Sequence, residues 1–150
     1  MEAKKVAKLI QLNGEPNYVT KVDLNSGKEM VKCSETLAKT CPNTMIMLLC
    51  HSGKTMFVSV IVPDDKQEYL KNWLEESTKS VIVKECTTIL GFENKRINML
   101  EICYPENGEY FPLKLIDQVI GNSFAYLKKA GLYVEPEEEK EYDFDDIYAF

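Results

Sequence analysis

Three observations predict a small α+β domain followed by an acidic tail. Residues Met45–Cys50 form a continuous apolar run, which is typical of a strand buried on both faces. After Pro112 apolar residues recur at helical spacing, which indicates an amphipathic helix. Half of the last sixteen residues are acidic, and burial of so many carboxylates in a core would be costly. We therefore expect a globular domain over 1–134 and a disordered acidic tail over 135–150.

The residue pattern in the first half of the domain predicts two β-hairpins. Val6–Leu12 and Asn17–Leu24 are predicted as strands on either side of a turn at Asn13-Gly14. Ser34–Thr40 predicts one short helical turn. The apolar run then pairs with Thr55–Val62, and this second hairpin is expected at the centre of the sheet.

The second half predicts one more hairpin and two helices. Asp64 is expected to cap a helix that contains Trp73, and Pro112 begins the last helix. Thr78–Leu90 and Ile97–Tyr104 are predicted to form the third hairpin. The result is about six strands with two helices, arranged either as a partly open barrel of the OB type or as an open antiparallel sheet. The pattern alone does not separate these two architectures.

Composition narrows the class of protein. A chain of 150 residues with 45% hydrophobic residues can bury one ordinary core. The start is too charged for a signal peptide, and no apolar run approaches the length of a membrane helix, so we expect a protein of the cytoplasm, or of a host cytoplasm. Five irregularly spaced cysteines with one histidine predict neither a metal site nor another cofactor.

No catalytic constellation is visible, so an enzyme is not expected. Cys50 and His51 are neighbours on a strand and would point to opposite faces. Ser52–Thr55 resembles the end of a phosphate-binding loop, but the preceding glycine is missing and a strand follows instead of a helix.

The charge is divided unevenly along the chain. The net charge is −6, and residues 135–150 contain eight acidic residues against Lys140 alone, which gives that segment −7. The other 134 residues hold 17 basic and 16 acidic residues, which leaves them at +1. Arguments about partners must therefore treat the body and the tail separately.

Acidic and aromatic residues alternate at the C-terminal end. Asp143–Asp146 reads DFDD, and Ile147 and a terminal Phe150 follow. This tip resembles the C-terminal tip of bacterial and phage single-stranded-DNA-binding proteins, although Ala149 stands where many members have proline. The resemblance covers about nine residues. The body lacks the family's long linker, so the chain looks more like a compact phage or mobile-element member.

The resemblance implies single-stranded DNA as a ligand and a role in DNA replication and recombination. It also implies that the tip docks on replication and recombination proteins and competes with DNA. Because such proteins often form dimers or tetramers, a homo-oligomer is allowed. The residues carried over as partner-binding are Asp143, Phe144, Asp145, Asp146, Ile147 and Phe150.

Single-strand binding requires basic residues for phosphates and aromatic faces for bases. Phe92, Lys95 and Arg96 lie around one predicted hairpin turn and form the best candidate cluster. The full set of nucleic-acid-binding candidates is Tyr18, Lys21, Lys54, Phe57, Lys84, Phe92, Lys95, Arg96 and Tyr104.

A second reading belongs to a different class. The chain would be a non-enzymatic interaction module or inhibitor whose acidic tail mimics nucleic acid or binds a host factor. A docking tail like that of the small subunit of ribonucleotide reductase is a third reading, which the missing di-iron ligand set disfavours.

Overall fold

The structure is a computed structural model that describes residues 2–106 and 108–133. A short 3₁₀ segment, Asp64–Tyr69, precedes the third α-helix. In chain order the elements are α1 (Glu2–Asn13), β1 (Asn17–Lys21), α2 (Gly27–Thr40), β2 (Met45–Ser52), β3 (Thr55–Ile61), α3 (Leu70–Thr78), β4 (Thr87–Glu93), β5 (Ile97–Cys103) and α4 (Pro112–Lys129).

Five strands form one open sheet in the order β1-β2-β3-β5-β4. β1 pairs parallel to β2, with α2 as the connection between them, and the remaining pairs are antiparallel. β2 and β3 form the predicted central hairpin, in which Gly53 turns with a positive φ of 58°. The predicted α+β class is confirmed. The sheet has two edges, β1 and β4, so the open-sheet alternative is correct and the OB-type barrel is not.

Helices cover both faces of the sheet and produce two separate cores. On one face, α1 and α2 pack on alternate strand residues such as Ile46, Leu48 and Ile61. On the other face, α3 and α4 pack on the intervening residues, such as Met47 and Leu49. This arrangement explains the continuous apolar run of β2, because all of its side chains from Met45 to Cys50 are buried against one layer or the other.

The first predicted strand, Val6–Leu12, is wrong because this segment belongs to helix α1. Ala3, Val6 and Ile10 are spaced i, i+3 and i+7, and all three are buried. Gly14 ends the helix with a positive φ of 65° and donates its N–H to the Ile10 carbonyl, so it is not a hairpin turn.

Helix α2 is longer than the predicted turn at Ser34–Thr40. Ser26 accepts the Glu29 N–H at 3.2 Å, and the Glu29 carboxylate accepts the Asn25 N–H at 3.4 Å. This exchange closely resembles a capping box and starts the helix a full two turns earlier. The described residues therefore contain four α-helices and five strands, instead of two helices and six strands.

The cap predicted at Asp64 is also wrong. Pro63 stands at the N-cap of the 3₁₀ segment, and no side chain caps it. The last helix starts at Pro112 as predicted, and Gly131 follows its end with a positive φ of 76°. The predicted tail at 135–150 lies outside the described residues. No helix in the described ranges is both long and apolar enough to cross a bilayer.

Candidate nucleic-acid interface

The four aromatic candidates are held mainly by the core. Phe57 is buried among the residues under α2, and Tyr18 and Phe92 are half-buried against the same cluster. Tyr104 is buried on the opposite face, where its hydroxyl donates to the Val81 carbonyl at 2.6 Å. Desolvation of that hydroxyl raises the pKa of Tyr104 well above its usual range. The two buried rings, Phe57 and Tyr104, therefore cannot stack on a base.

Arg96 is bonded to the protein backbone. Its Nε donates to the Val62 carbonyl at 2.8 Å, and its Nη1 donates to the Ala38 carbonyl at 2.9 Å. Nη2 donates to the Pro42 carbonyl at 3.4 Å, and only 20% of the side chain is exposed. The guanidinium thus ties α2, β3 and the β4–β5 turn together. Its neighbour Lys95 is exposed.

The remaining lysine candidates are divided between two places. Lys84 is exposed in the loop before β4. Lys21 and Lys54 lie at the end of the sheet where β1 and β2 finish and α4 begins. Lys21 pairs with Asp117 of α4 at 2.9 Å, so it carries no excess positive charge there. The structure therefore does not bring the nine candidates together into one surface.

An exposed aromatic ring that the sequence reasoning missed lies at that same end of the sheet. Phe111 is 53% exposed, and the Lys54 Nζ lies 4.6 Å from the centre of its ring. The Lys114 Nζ lies 5.8 Å from the same centre. Lys54 is fixed in place because its ammonium donates to the Tyr110 carbonyl at 2.7 Å. We call Lys54, Phe111 and Lys114 the Phe111 platform.

The first turn of α4 adds to this platform. Phe111 stands at the N-cap, no side chain caps the helix, and Pro112 occupies the first turn. The positive end of the dipole of an 18-residue helix therefore points toward the platform without a carboxylate cap. A backbone phosphate is the kind of group that such a helix end favours.

A second basic surface runs along the outside of α1 and α2, on one face of the sheet. In α2, Lys28, Lys32 and Lys39 lie on one exposed stripe together with Glu35. In α1, the exposed lysines Lys4, Lys5 and Lys8 precede Leu12, which is 74% exposed. We call this surface the lysine face, and its lysines are Lys4, Lys5, Lys8, Lys28, Lys32 and Lys39.

Two buried thiols lie beneath the lysine face. Burial raises the pKa of Cys33 to about 11 and that of Cys50 to about 12. Both thiols are therefore protonated and unreactive at neutral pH. Among the described residues there is no group of three potential metal ligands.

The comparisons with known proteins find similarity only among solved structures. No family model and no curated protein matches the sequence. Among solved structures, the C-Ala domain from Aquifex aeolicus alanyl-tRNA synthetase is similar with a TM-score of 0.44 and 11% identity, over 69% of this chain and 88% of that chain. The six partner-binding candidates at the C-terminal tip lie outside the described residues.

Proposed function

We propose that this chain is a non-enzymatic protein that binds single-stranded DNA at the Phe111 platform. The observation that carries the proposal is an exposed ring with two ammonium groups within 6 Å of its centre, at an uncapped helix start. Sequence-tolerant binding of single strands combines these elements, since bases stack on aromatic faces while cations follow the phosphates.

The roles of the three residues follow from their surroundings. The Phe111 ring supplies the stacking surface, a contact that is worth about 1–3 kcal/mol per base. Lys114 is exposed and meets a phosphate. Lys54, already bonded to the Tyr110 carbonyl, chiefly holds one side of the ring and keeps its orientation. The lysine face adds long-range attraction for the rest of the strand.

The acidic tail acts in the proposal as both docking segment and competitor. Its tip docks on replication or recombination proteins, as the resemblance implies. Sixteen residues can extend to about 50 Å, whereas the 18 residues of α4 span about 27 Å. A segment of charge −7 can therefore reach the platform and compete with DNA for it. A phage or mobile-element origin and a homo-oligomeric state remain part of this proposal.

Fluorescence anisotropy with labelled oligo-dT tests the proposal. The full chain should bind at low salt, and binding should weaken as salt rises. Deletion of 135–150 should tighten binding, because the competitor is removed. A variant that keeps the tail length but replaces Asp143, Asp145 and Asp146 by asparagine separates charge from length. Absence of binding by all three proteins at low salt would contradict the proposal.

A protein-interaction module is the second candidate, and α1 favours it. Leu9 and Leu12 are exposed and follow the lysines of α1, which is the composition of a surface that binds an acidic, partly apolar partner. Replacement of Leu12 by Ser separates the two candidates. It should leave oligo-dT affinity unchanged if the chain binds DNA at the platform, and it should abolish capture of a protein partner if α1 is the docking surface.

A further inference from the structure

A groove opens between α3 and the β4–β5 hairpin, at the opposite end of the sheet from the Phe111 platform. It has a volume of about 580 Å³. Leu74 of α3, Ile82 of the following loop and Leu100 of β5 give it apolar walls. Asn98 of β5 and Thr78 supply polar groups inside, and charged side chains of α3 and β4 form the rim. This size and composition are typical of a small-ligand site.

Asn98 is the unusual residue of this groove. Only 7% of it is exposed, and its Oδ1 is buried without a hydrogen-bond partner. Other buried polar groups between the sheet and its helices are paired: Ser34 and Ser59 share a hydrogen bond of 2.6 Å, and the Trp73 Nε1 donates to Ser123 at 2.8 Å. An unpaired buried amide destabilises a fold, so its retention at the wall of a groove points to a ligand.

The rim charges indicate which ligand the groove disfavours. Lys79 pairs with Glu76 at 2.8 Å, and Lys71 lies 4.0 Å from Glu75. Both lysines are therefore neutralised within their own helix. Glu93, which is exposed and has no ion pair among the described residues, leaves the rim with one excess negative charge. A phosphate group gains nothing here, whereas a neutral group with N–H donors does.

We infer that the groove binds a nucleobase, and that guanine fits it best. Glu93 of β4 stands directly opposite Asn98 of β5 in the sheet register. Side chains at such positions lie about 5 Å apart on one face, so both can reach one planar ring. Guanine presents a carbonyl oxygen beside two N–H donors. The Asn98 Nδ2 donates to that carbonyl while its otherwise unpaired Oδ1 accepts the adjacent ring N–H, and the Glu93 carboxylate accepts the amino group.

The apolar walls complete the fit. Leu74, Ile82 and Leu100 offer aliphatic surface to the faces of the ring and exclude water from the hydrogen-bonded edge. The base can come from a free nucleoside or from an unstacked base of an oligonucleotide. This site shares no residue with the Phe111 platform, so it stands whether or not the platform binds DNA.

The test is titration of the ¹⁵N-labelled full chain with nucleosides, observed through the side-chain amide of Asn98. Guanosine should shift the Asn98 signals at the lowest concentration. Inosine, which lacks one N–H, should bind more weakly, and adenosine, which lacks the carbonyl, should bind least. Guanosine monophosphate should bind no more tightly than guanosine. If a dG-containing oligonucleotide shifts the Asn98 signals and guanosine does not, the groove binds a guanine base of an oligonucleotide and not a free nucleoside.

Substitutions of Asn98 and Glu93 test whether these two side chains bind the base. Asn98→Leu should abolish the shifts of neighbouring backbone amides and weaken guanosine binding more than tenfold, and Glu93→Gln should remove the preference over inosine. Asn72→Leu, an exposed position on α3 outside the groove, is the matched control and should bind normally. The melting temperature of Asn98→Leu should stay equal or rise, since an unpaired amide is removed.

Three results would overturn the inference. The first is that no nucleoside or oligonucleotide moves the Asn98 amide. The second is equal binding of guanosine and adenosine, which would exclude recognition of the base edge. The third is a melting temperature of Asn98→Leu several degrees below that of the parent, which would show that the amide already has a structural partner.

Discussion

The two ends of the sheet use positive charge in opposite ways. At one end, the Arg96 guanidinium is fixed by the carbonyls of Ala38 and Pro42, at the end of α2, and of Val62, just after β3. At the other end, Lys54 and Lys114 lie around the exposed Phe111 ring. Arg96 and Lys54 are both held by backbone carbonyls, whereas Lys114 and the exposed Phe111 ring have no hydrogen bond or burial that occupies them among the described residues. The difference shows that a basic residue near an aromatic one can contact a ligand directly when the fold has not already used its hydrogen bonds.

Replacement of Arg96 tests the end of the sheet where positive charge supports the fold, and it should have the largest effect on stability. Arg96→Met leaves the carbonyls of Val62 and Ala38 without their charged donor, so the free energy of unfolding should fall by about 2–4 kcal/mol. Urea denaturation measures the change, and Lys95→Met, at the exposed neighbour, should alter stability by less than about 0.5 kcal/mol. If Arg96→Met were instead stable and deficient in DNA binding, the two ends would be equivalent.

Replacement of Phe111 tests the functional end and should have the next largest effect. Phe111→Ala should weaken oligo-dT binding by roughly five- to 150-fold, the loss of one stacking contact of about 1–3 kcal/mol. Stability should change little, because more than half of the ring is already exposed. Leu113→Ala, an equally exposed apolar residue in the same helical turn, is the control. Equal losses for Leu113→Ala and Phe111→Ala would indicate a general apolar contact.

Replacement of Lys114 tests the phosphate contact at the Phe111 platform and should have a smaller effect. Lys114→Gln should reduce the salt dependence of single-strand binding by the equivalent of about one phosphate contact, a change of about 0.7 in the logarithmic slope. Lys129→Gln, at the far end of the same helix, should leave the slope unchanged. An unchanged slope for Lys114→Gln would mean that the phosphates pass elsewhere, for example along the lysine face.

A change in the segment 135–150, which lies outside the described residues, should have the smallest effect on the fold. Deletion of Phe150 should leave the melting temperature unchanged, because burial of the surrounding carboxylates would be costly. The same deletion should weaken binding to a docking partner more than tenfold, whereas Asp145→Asn should act mainly on the association rate. A melting temperature several degrees lower would place Phe150 within the fold and would contradict the docking proposal.

The parts of the fold that the sequence predicted well are those with strong, unambiguous hydrophobic signals. The β2–β3 hairpin and α4 followed from a continuous apolar run and a long helical stripe. Helix α1 was missed because Val6, Leu9, Ile10 and Leu12 also suit a strand. The helical spacing of Ala3, Val6 and Ile10 distinguishes a helix from a strand only once these three residues are known to be buried together. The start of α2 could have been predicted, because Ser26 and Glu29 have the spacing of a capping box.

The site was harder to predict than the fold. Phe111 directly precedes Pro112, which was interpreted only as the start of the last helix. The local sequence does not show that the Phe111 ring is exposed to solvent. Arg96 was a good candidate by type and position, but its three carbonyl partners lie 34 to 58 residues away along the chain. Exposure and long-range hydrogen bonds depend on tertiary packing, which a linear pattern does not contain.

The chain carries its own optical reporter. Trp73 is the single tryptophan, it is fully buried, and its indole donates to Ser123 of α4. An indole in such dry surroundings emits at short wavelength and shifts to the red when water reaches it. Its emission therefore registers the separation of α3 from α4 without any added label, and it lets unfolding be followed in the same sample in which an external dye follows DNA.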